Sequence, residues 1–241
     1  MMEEIRLPSG HIIERSVQKE QIHMKKLIQT RRDFLGTAAL GAALVPLVSA
    51  CQFDTVAESA PKDKLDILRA NGVQDPDCEW CGARDVPDDV RWKARLHKDG
   101  DAGERLLVEG TVYKEDGLTP APDILIYFYH TDTEGLYGRR DQHRHGRYRG
   151  WVLTDKNGKY GFYTIKPEPY PSRNNPSHVH MTVTGLKRKE DWADSILFEG
   201  DPLLNDRDYS AKKGGFKNVI ELKKDAEGIL RGTRNLRLWP V

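Results

Sequence analysis

The 241-residue sequence predicts an all-β fold, an antiparallel β-sandwich or barrel. Short apolar, β-branched and aromatic runs recur from about residue 96 onward: RLLVEGTVY, DILIYFYHT, GWVLT, KYGFYTI, SHVHMTVTG, FKNVIEL and NLRLW. Turn signals such as EDG and KNG separate them. No long helical period lies between the runs, which argues against a βαβ sheet.

The N-terminal part carries a different message. Residues 25–51 read KKLIQTRRDFLGTAALGAALVPLVSAC, with basic residues first, an apolar stretch over 36–50, and small residues before Cys51. That stretch is too short and too weakly apolar to span a bilayer. Its only polar side chains are Thr37 and Ser49, so it lacks the polar face of a buried amphipathic helix. Arg31 and Arg32, followed by DFL, resemble a twin-arginine export signal, and VSAC resembles a bacterial lipobox whose Cys51 is lipidated after cleavage. Residues 1–50 therefore read as a signal region, and the mature protein as an exported lipoprotein of the bacterial cell envelope. Residues 1–23 precede a serviceable start at Met24 and read as a mis-called translation start.

Residues 51–95 read as a tether and loop-rich extension. Residues 52–61 are polar; KDKLDILRANG then offers a turn or two of helix, with Leu65, Ile67 and Leu68 at helical spacing before Gly72 stops it. Cys78 and Cys81 stand in CEWC, where an exported protein can keep a local disulfide or two free thiols. Two cysteines cannot close a zinc site, and no histidine lies within fifteen residues of them on either side. The β-rich domain then occupies residues 96–241.

Charge narrows the partners. Lys+Arg 38 against Asp+Glu 37 leaves a formal net charge of +1, with no electrostatic footprint for nucleic acid. Contact with a membrane is expected only through the lipid anchor.

Three segments hold metal-ligating residue types. In SHVHMTV, strand alternation points His178 and His180 to one face and Val179 and Met181 to the other. His143-Arg144-His145 repeats the spacing but lies among Arg139, Arg140, Arg147 and Arg149 without apolar alternation, so it reads as a loosely held segment where a cation meets like charge. Those arginines serve either as a solvated loop or to attract an acidic substrate. Tyr137 closes the EGLY turn, and Tyr170 sits before Pro171, eight residues ahead of His178. A phenol with an ordinary pKa near ~10 becomes a good ligand only beside a high charge, such as Fe(III).

Through GTVYKEDGLTPAPDILIYFYHTDTEGLY, RGWVLTDKNGKYGFYTIKPEPYP, HVH and LFEGDPLLNDRDY, in that order, the chain resembles the intradiol ring-cleavage dioxygenases, the family of protocatechuate 3,4-dioxygenase. The resemblance implies an immunoglobulin-like sandwich holding non-haem Fe(III) on Tyr137, Tyr170, His178 and His180. It implies a catecholic substrate, opened with O2 to a muconate-type diacid in aromatic-compound catabolism, with Tyr170 giving way as the substrate binds. Family members of this type have a longer segment before the HxH, with an arginine facing the substrate. Here only residues 172–177 intervene, and Arg173 is the candidate for that role. The rival readings are a non-catalytic transthyretin-like or carbohydrate-binding sandwich, and a zinc hydrolase using His143, His145, His178 and His180.

Overall fold

A computed structural model describes residues 61–138, 143–210 and 213–240. All of them belong to the unit formed by residues 54–241. Among the described residues helix α1 (Lys62–Asn71) comes first, then a 3₁₀ turn (Ala83–Asp85) and eleven strands. These are β1 (Lys93–Arg95), β2 (Arg105–Tyr113), β3 (Leu125–His130), β4 (Arg149–Leu153), β5 (Lys159–Ile165), β6 (His178–Gly185), β7 (Arg188–Phe198), β8 (Val219–Ile220), β9 (Lys223–Lys224), β10 (Leu230–Thr233) and β11 (Leu236–Arg237).

The strands form two sheets. One runs β1-β5-β2-β10-β9, with β11 also pairing β2; the other runs β4-β3-β6-β7-β8. Both are mixed, which corrects the expectation of an antiparallel sandwich. The long strands pair antiparallel (β2 with β5, β3 with β4 and β6, β6 with β7). Parallel pairs arise where the short strands β1, β8, β10 and β11 come back from a distance to lie beside a long one, since a parallel partner needs a long crossover.

Alternation explains the core between the sheets. Leu106, Val108 and Val112 of β2 and Phe162 of β5 meet Ile126 and Phe128 of β3, Val179, Met181 and Val183 of β6, and Ile196 of β7. Phe128 and Phe162 stack with centroids 4.0 Å apart. Strand β3 is buried along its whole length, so its other face must also be covered. The cover is the extension before β1: Leu65 and Leu68 of α1, with Ala83, Val86 and Val90, pack on Leu125 and Leu153. Ile67 stays 45% exposed, because its position turns away from the face that Leu65 and Leu68 bury.

A carboxylate joins extension to sheet. Glu190 of β7 is buried and accepts hydrogen bonds from the backbone N–H groups of Gly82 (2.8 Å) and Ala83 (3.0 Å) and from Thr182 Oγ1 (2.8 Å) at Oε1. Its Oε2 accepts from Val73 N at 3.0 Å. These donors satisfy a charge that burial would otherwise penalise heavily. Among the described residues no helix is long and apolar enough to cross a membrane.

Candidate metal centre

The site grows from the outward face of β6. Val179 and Met181 go into the core, which leaves His178 and His180 together on the other face. The carbonyl of Pro176 can only accept, so the His178 Nδ1–H donates to it at 2.7 Å and the Nε2 lone pair faces inward. His180 Nδ1 lies 3.4 Å from Ser195 Oγ, and its Nε2 is 3.0 Å from that of His178.

Two loops bring the tyrosines to these nitrogens. Asp132 folds the first: its side chain accepts from Glu134 N and Leu136 N, and Gly135 follows with φ 74°. A Cβ on Gly135 would strike the carbonyl oxygen of Pro169, and one on Gly146 the backbone of Tyr137. Glycine is therefore what lets the Tyr137 turn lie against the segment that carries Tyr170. Thr131 Oγ1 donates to Glu168 O (2.6 Å) and Ser177 Oγ to Pro167 O (2.6 Å), closing the second loop over β6.

Four side-chain atoms converge as a result. Tyr137 Oη is 2.6 Å from Tyr170 Oη, which is 3.1 Å from His180 Nε2 and 3.3 Å from His178 Nε2. Metal–nitrogen bonds of about 2.0–2.1 Å, set near right angles, separate neighbouring donor atoms by about 3 Å. The spacing thus suits a single ion. Among the described residues no three His, Cys, Asp or Glu side chains gather elsewhere to rival it. Two imidazoles with two oxygen donors suit iron, and a phenolate pair calls for a high charge.

The electrostatics agree with that donor set. Burial, reinforced by the neighbouring histidines, lowers the His180 pKa to about 3, and burial also lowers that of His178. Both rings are neutral near pH 7, with lone pairs to offer. Burial, and then the hydrogen bond to Tyr170, pushes the Tyr137 phenol up, so without a cation it keeps its proton.

Behind the four donors stands an aromatic layer. Tyr129 lies opposite His180 in the β3–β6 ladder and stacks on it at 4.6 Å. His145 stacks on Tyr129 at 3.8 Å, with the rings 5° from parallel. Both His145 nitrogens are engaged, Nδ1 with Tyr127 Oη and Nε2 with the Glu79 carbonyl, each at 2.6 Å. This corrects the expectation of a loose HRH segment, for His145 is only 3% exposed, and it removes His145 from any four-histidine zinc site. His143 accepts the His145 backbone N–H at Nδ1 (3.1 Å).

Arg173 also departs from expectation. It sits exposed at φ 51° in the turn after Tyr170 and lines a groove with Glu168, Phe198 and Asp201, apart from the cavity over the donors. The guanidinium that lines that cavity, of about 640 Å³, is Arg144, with Trp80, Trp192, Tyr129, Tyr137, Tyr170 and His180. Arg147 instead pairs with Asp101 at 2.7 Å, and Arg149 donates to the Gly146 carbonyl at 2.6 Å. Trp80, Trp192 and Ser195 went unread in the sequence; strand alternation in β3 was the signal that could have found Tyr129. Cys78 and Cys81 are joined by a disulfide. Arg31, Arg32, Cys51, Arg139 and Arg140 lie outside the described residues.

A family model described as "Dioxygenase" matches residues 88–234. A hydroxyquinol 1,2-dioxygenase of Nocardioides simplex is 34% identical over 140 residues, 49% of this chain and 47% of that protein. The protocatechuate 3,4-dioxygenase beta chain of Burkholderia cepacia is 34% identical over 113 residues, 42% of this chain and 48% of that one. The chain spans about half the length of these curated relatives. The solved 3-chlorocatechol 1,2-dioxygenase of Rhodococcus opacus 1CP shares the fold at 18% identity, with a TM-score of 0.51 over 70% of this chain and 72% of that one.

Proposed function

The chain belongs to the intradiol ring-cleavage dioxygenase family, and from that premise we propose that it opens the ring of a catecholic compound with O2, giving a muconate-type diacid. The convergence of Tyr137, Tyr170, His178 and His180 on one point carries this reading. The relatives named for hydroxyquinol and protocatechuate support a catecholic substrate class.

These four side chains would hold a non-haem Fe(III), which would supply Lewis acidity towards the catechol oxygens and redox chemistry with O2. The protein supplies the rest. His178 is held in the ligating tautomer by the Pro176 carbonyl. Tyr170 borders the 640 Å³ cavity and also a second one of about 390 Å³ behind it, so its phenolate oxygen can leave the cluster and take a proton from the catechol hydroxyl. Tyr129 and His145 keep the His180 ring in place by stacking on each other and on it. Met181, Ala193 and the tryptophans give the cavity an apolar side for the ring to lie against.

The test is metal analysis and O2 uptake on the iron-loaded chain with a panel of catechols. One iron per chain, tyrosinate colour and stoichiometric O2 consumption are expected. Iron-loaded protein that consumes no O2 with any catechol defeats the enzyme reading in favour of a binding sandwich. TRRDFLG and VSAC support a second proposal, export as a lipoprotein anchored through Cys51. Cys51→Ala is expected to abolish lipid labelling, and lipid that survives this change refutes it.

A further inference from the structure

The cavity over the donors is too large for its expected guest. At about 640 Å³ it falls within the range of about 300–1,000 Å³ that encloses a drug-sized ligand, whereas a catechol is a single ring. Two tryptophans line it: Trp192 on β7, and Trp80 on the disulfide-closed loop Cys78–Cys81.

That loop is held with unusual care for an irregular segment. On its C-terminal side Gly82 donates its N–H to Glu190 Oε1 at 2.8 Å and receives the Trp151 indole N–H on its carbonyl at 2.7 Å. A side chain on Gly82 would collide with the Tyr127 ring, so the backbone lies flush against β3. On the N-terminal side the disulfide ties Cys78 to the nearly buried Cys81. In between, the Glu79 carbonyl accepts from His145, whose ring begins the stack that ends on His180. Trp80 is thus presented to the cavity on a short loop fixed at both ends and linked to the donor cluster. A flat, rigid indole held in this way gives stacking area at little entropic cost.

Building on the function proposed above, we propose that the Cys78–Cys81 loop determines substrate choice: Trp80 stacks on a planar group carried beyond the reacting ring. The favoured substrates are catechols joined to a second planar unit. The disulfide keeps Trp80 in position, so opening it weakens that preference without removing the metal ligands.

The experiment compares catechol with 4-phenylcatechol on the full, iron-loaded chain. Wild type is expected to show the higher kcat/KM with 4-phenylcatechol. Trp80→Ala is expected to lower the ratio of the two kcat/KM values about tenfold, mainly by raising KM for 4-phenylcatechol, with iron content unchanged; about tenfold corresponds to losing one aromatic contact. Trp80→Phe should restore most of the ratio, and Cys78→Ser with Cys81→Ser should lower it. Tryptophan fluorescence quenching by 4-phenylcatechol, without O2, gives a second readout independent of turnover. A catechol-preferring wild type, or a ratio untouched by Trp80→Ala, overturns the loop's role while ring opening stands. If neither compound is turned over but Trp80-dependent quenching persists, ring opening falls and the loop's role in binding stands; no quenching and no turnover defeat both.

Discussion

Two His-x-His pairs sit within forty residues of each other, and they meet opposite fates. His178 and His180 lie on a strand whose alternate residues are locked in the core; one ring nitrogen of His178 is held by a carbonyl, and both Nε2 atoms face the tyrosine oxygens. His145 is buried more deeply than either, yet both its nitrogens are engaged by Tyr127 and Glu79. Rigidity alone therefore does not make a ligand. What separates the pairs is where the lone pairs point and whether a neighbour has already claimed them.

The sharpest way to break that contrast is to exchange the losses. His178→Ala or His180→Ala is expected to reduce bound iron from one per chain to near zero, while His143→Ala and His145→Ala leave it bound, as read by metal analysis of purified protein. Iron lost only with the second pair would reverse the assignment. Next in size comes Tyr137→Phe, which keeps the ring and removes one oxygen: the visible phenolate-to-iron band should shift or bleach while part of the iron remains. An unaltered spectrum would take Tyr137 out of the donor set.

A smaller effect sharpens the role of His145. Replacing it with alanine strands the Tyr127 hydroxyl and the Glu79 carbonyl, which should cost about 1–3 kcal/mol in denaturant unfolding of the metal-free chain. The smallest effect is pH-dependent. Burial lowers the His145 and His130 pKa values to about 4 from 6.5, so the unfolded chain binds more protons between those values. Stability is then full above about pH 6.5 and falls as the pH drops towards 4, by about 1 kcal/mol per histidine between pH 7 and 5.5. A flat profile over that interval would show that these rings are not buried neutral.

The sequence discloses β3, β5 and β6 because Leu125–His130, Lys159–Ile165 and His178–Gly185 carry apolar residues at strand spacing or in buried runs. The longest strand, β7, is invisible in it, since it opens on Arg188, Lys189, Glu190 and Asp191 before Ala193, Ile196 and Phe198 turn inward. A charge sequence of that kind reads as solvated surface, and only the tertiary partners of Glu190 make it a strand with a buried face. The extension is legible only in part: Leu65 and Leu68 stand at helical spacing, but nothing in the pattern ties them to Val86 and Val90, with which they cover one sheet. The donor residues are legible as spaced motifs. The direction of Arg173 is not, because a left-handed turn residue points its side chain where local backbone geometry sends it.

Glu190 sets a limit on how this fold can be divided. The stretch that carries the family signature, residues 88–234, leaves out Val73, Gly82 and Ala83, three of the four donors that the carboxylate uses. Severed at residue 88, the signature would keep a charge facing Thr182 alone, at a cost of about 1–3 kcal/mol for each missing partner, and would expose the apolar face around Leu125 and Leu153. The signature is therefore not a portable module. Grafting, fusing or recombining this protein has to begin upstream of α1, and a swap at the family boundary would trade away the mouth of the cavity together with the stability beneath it.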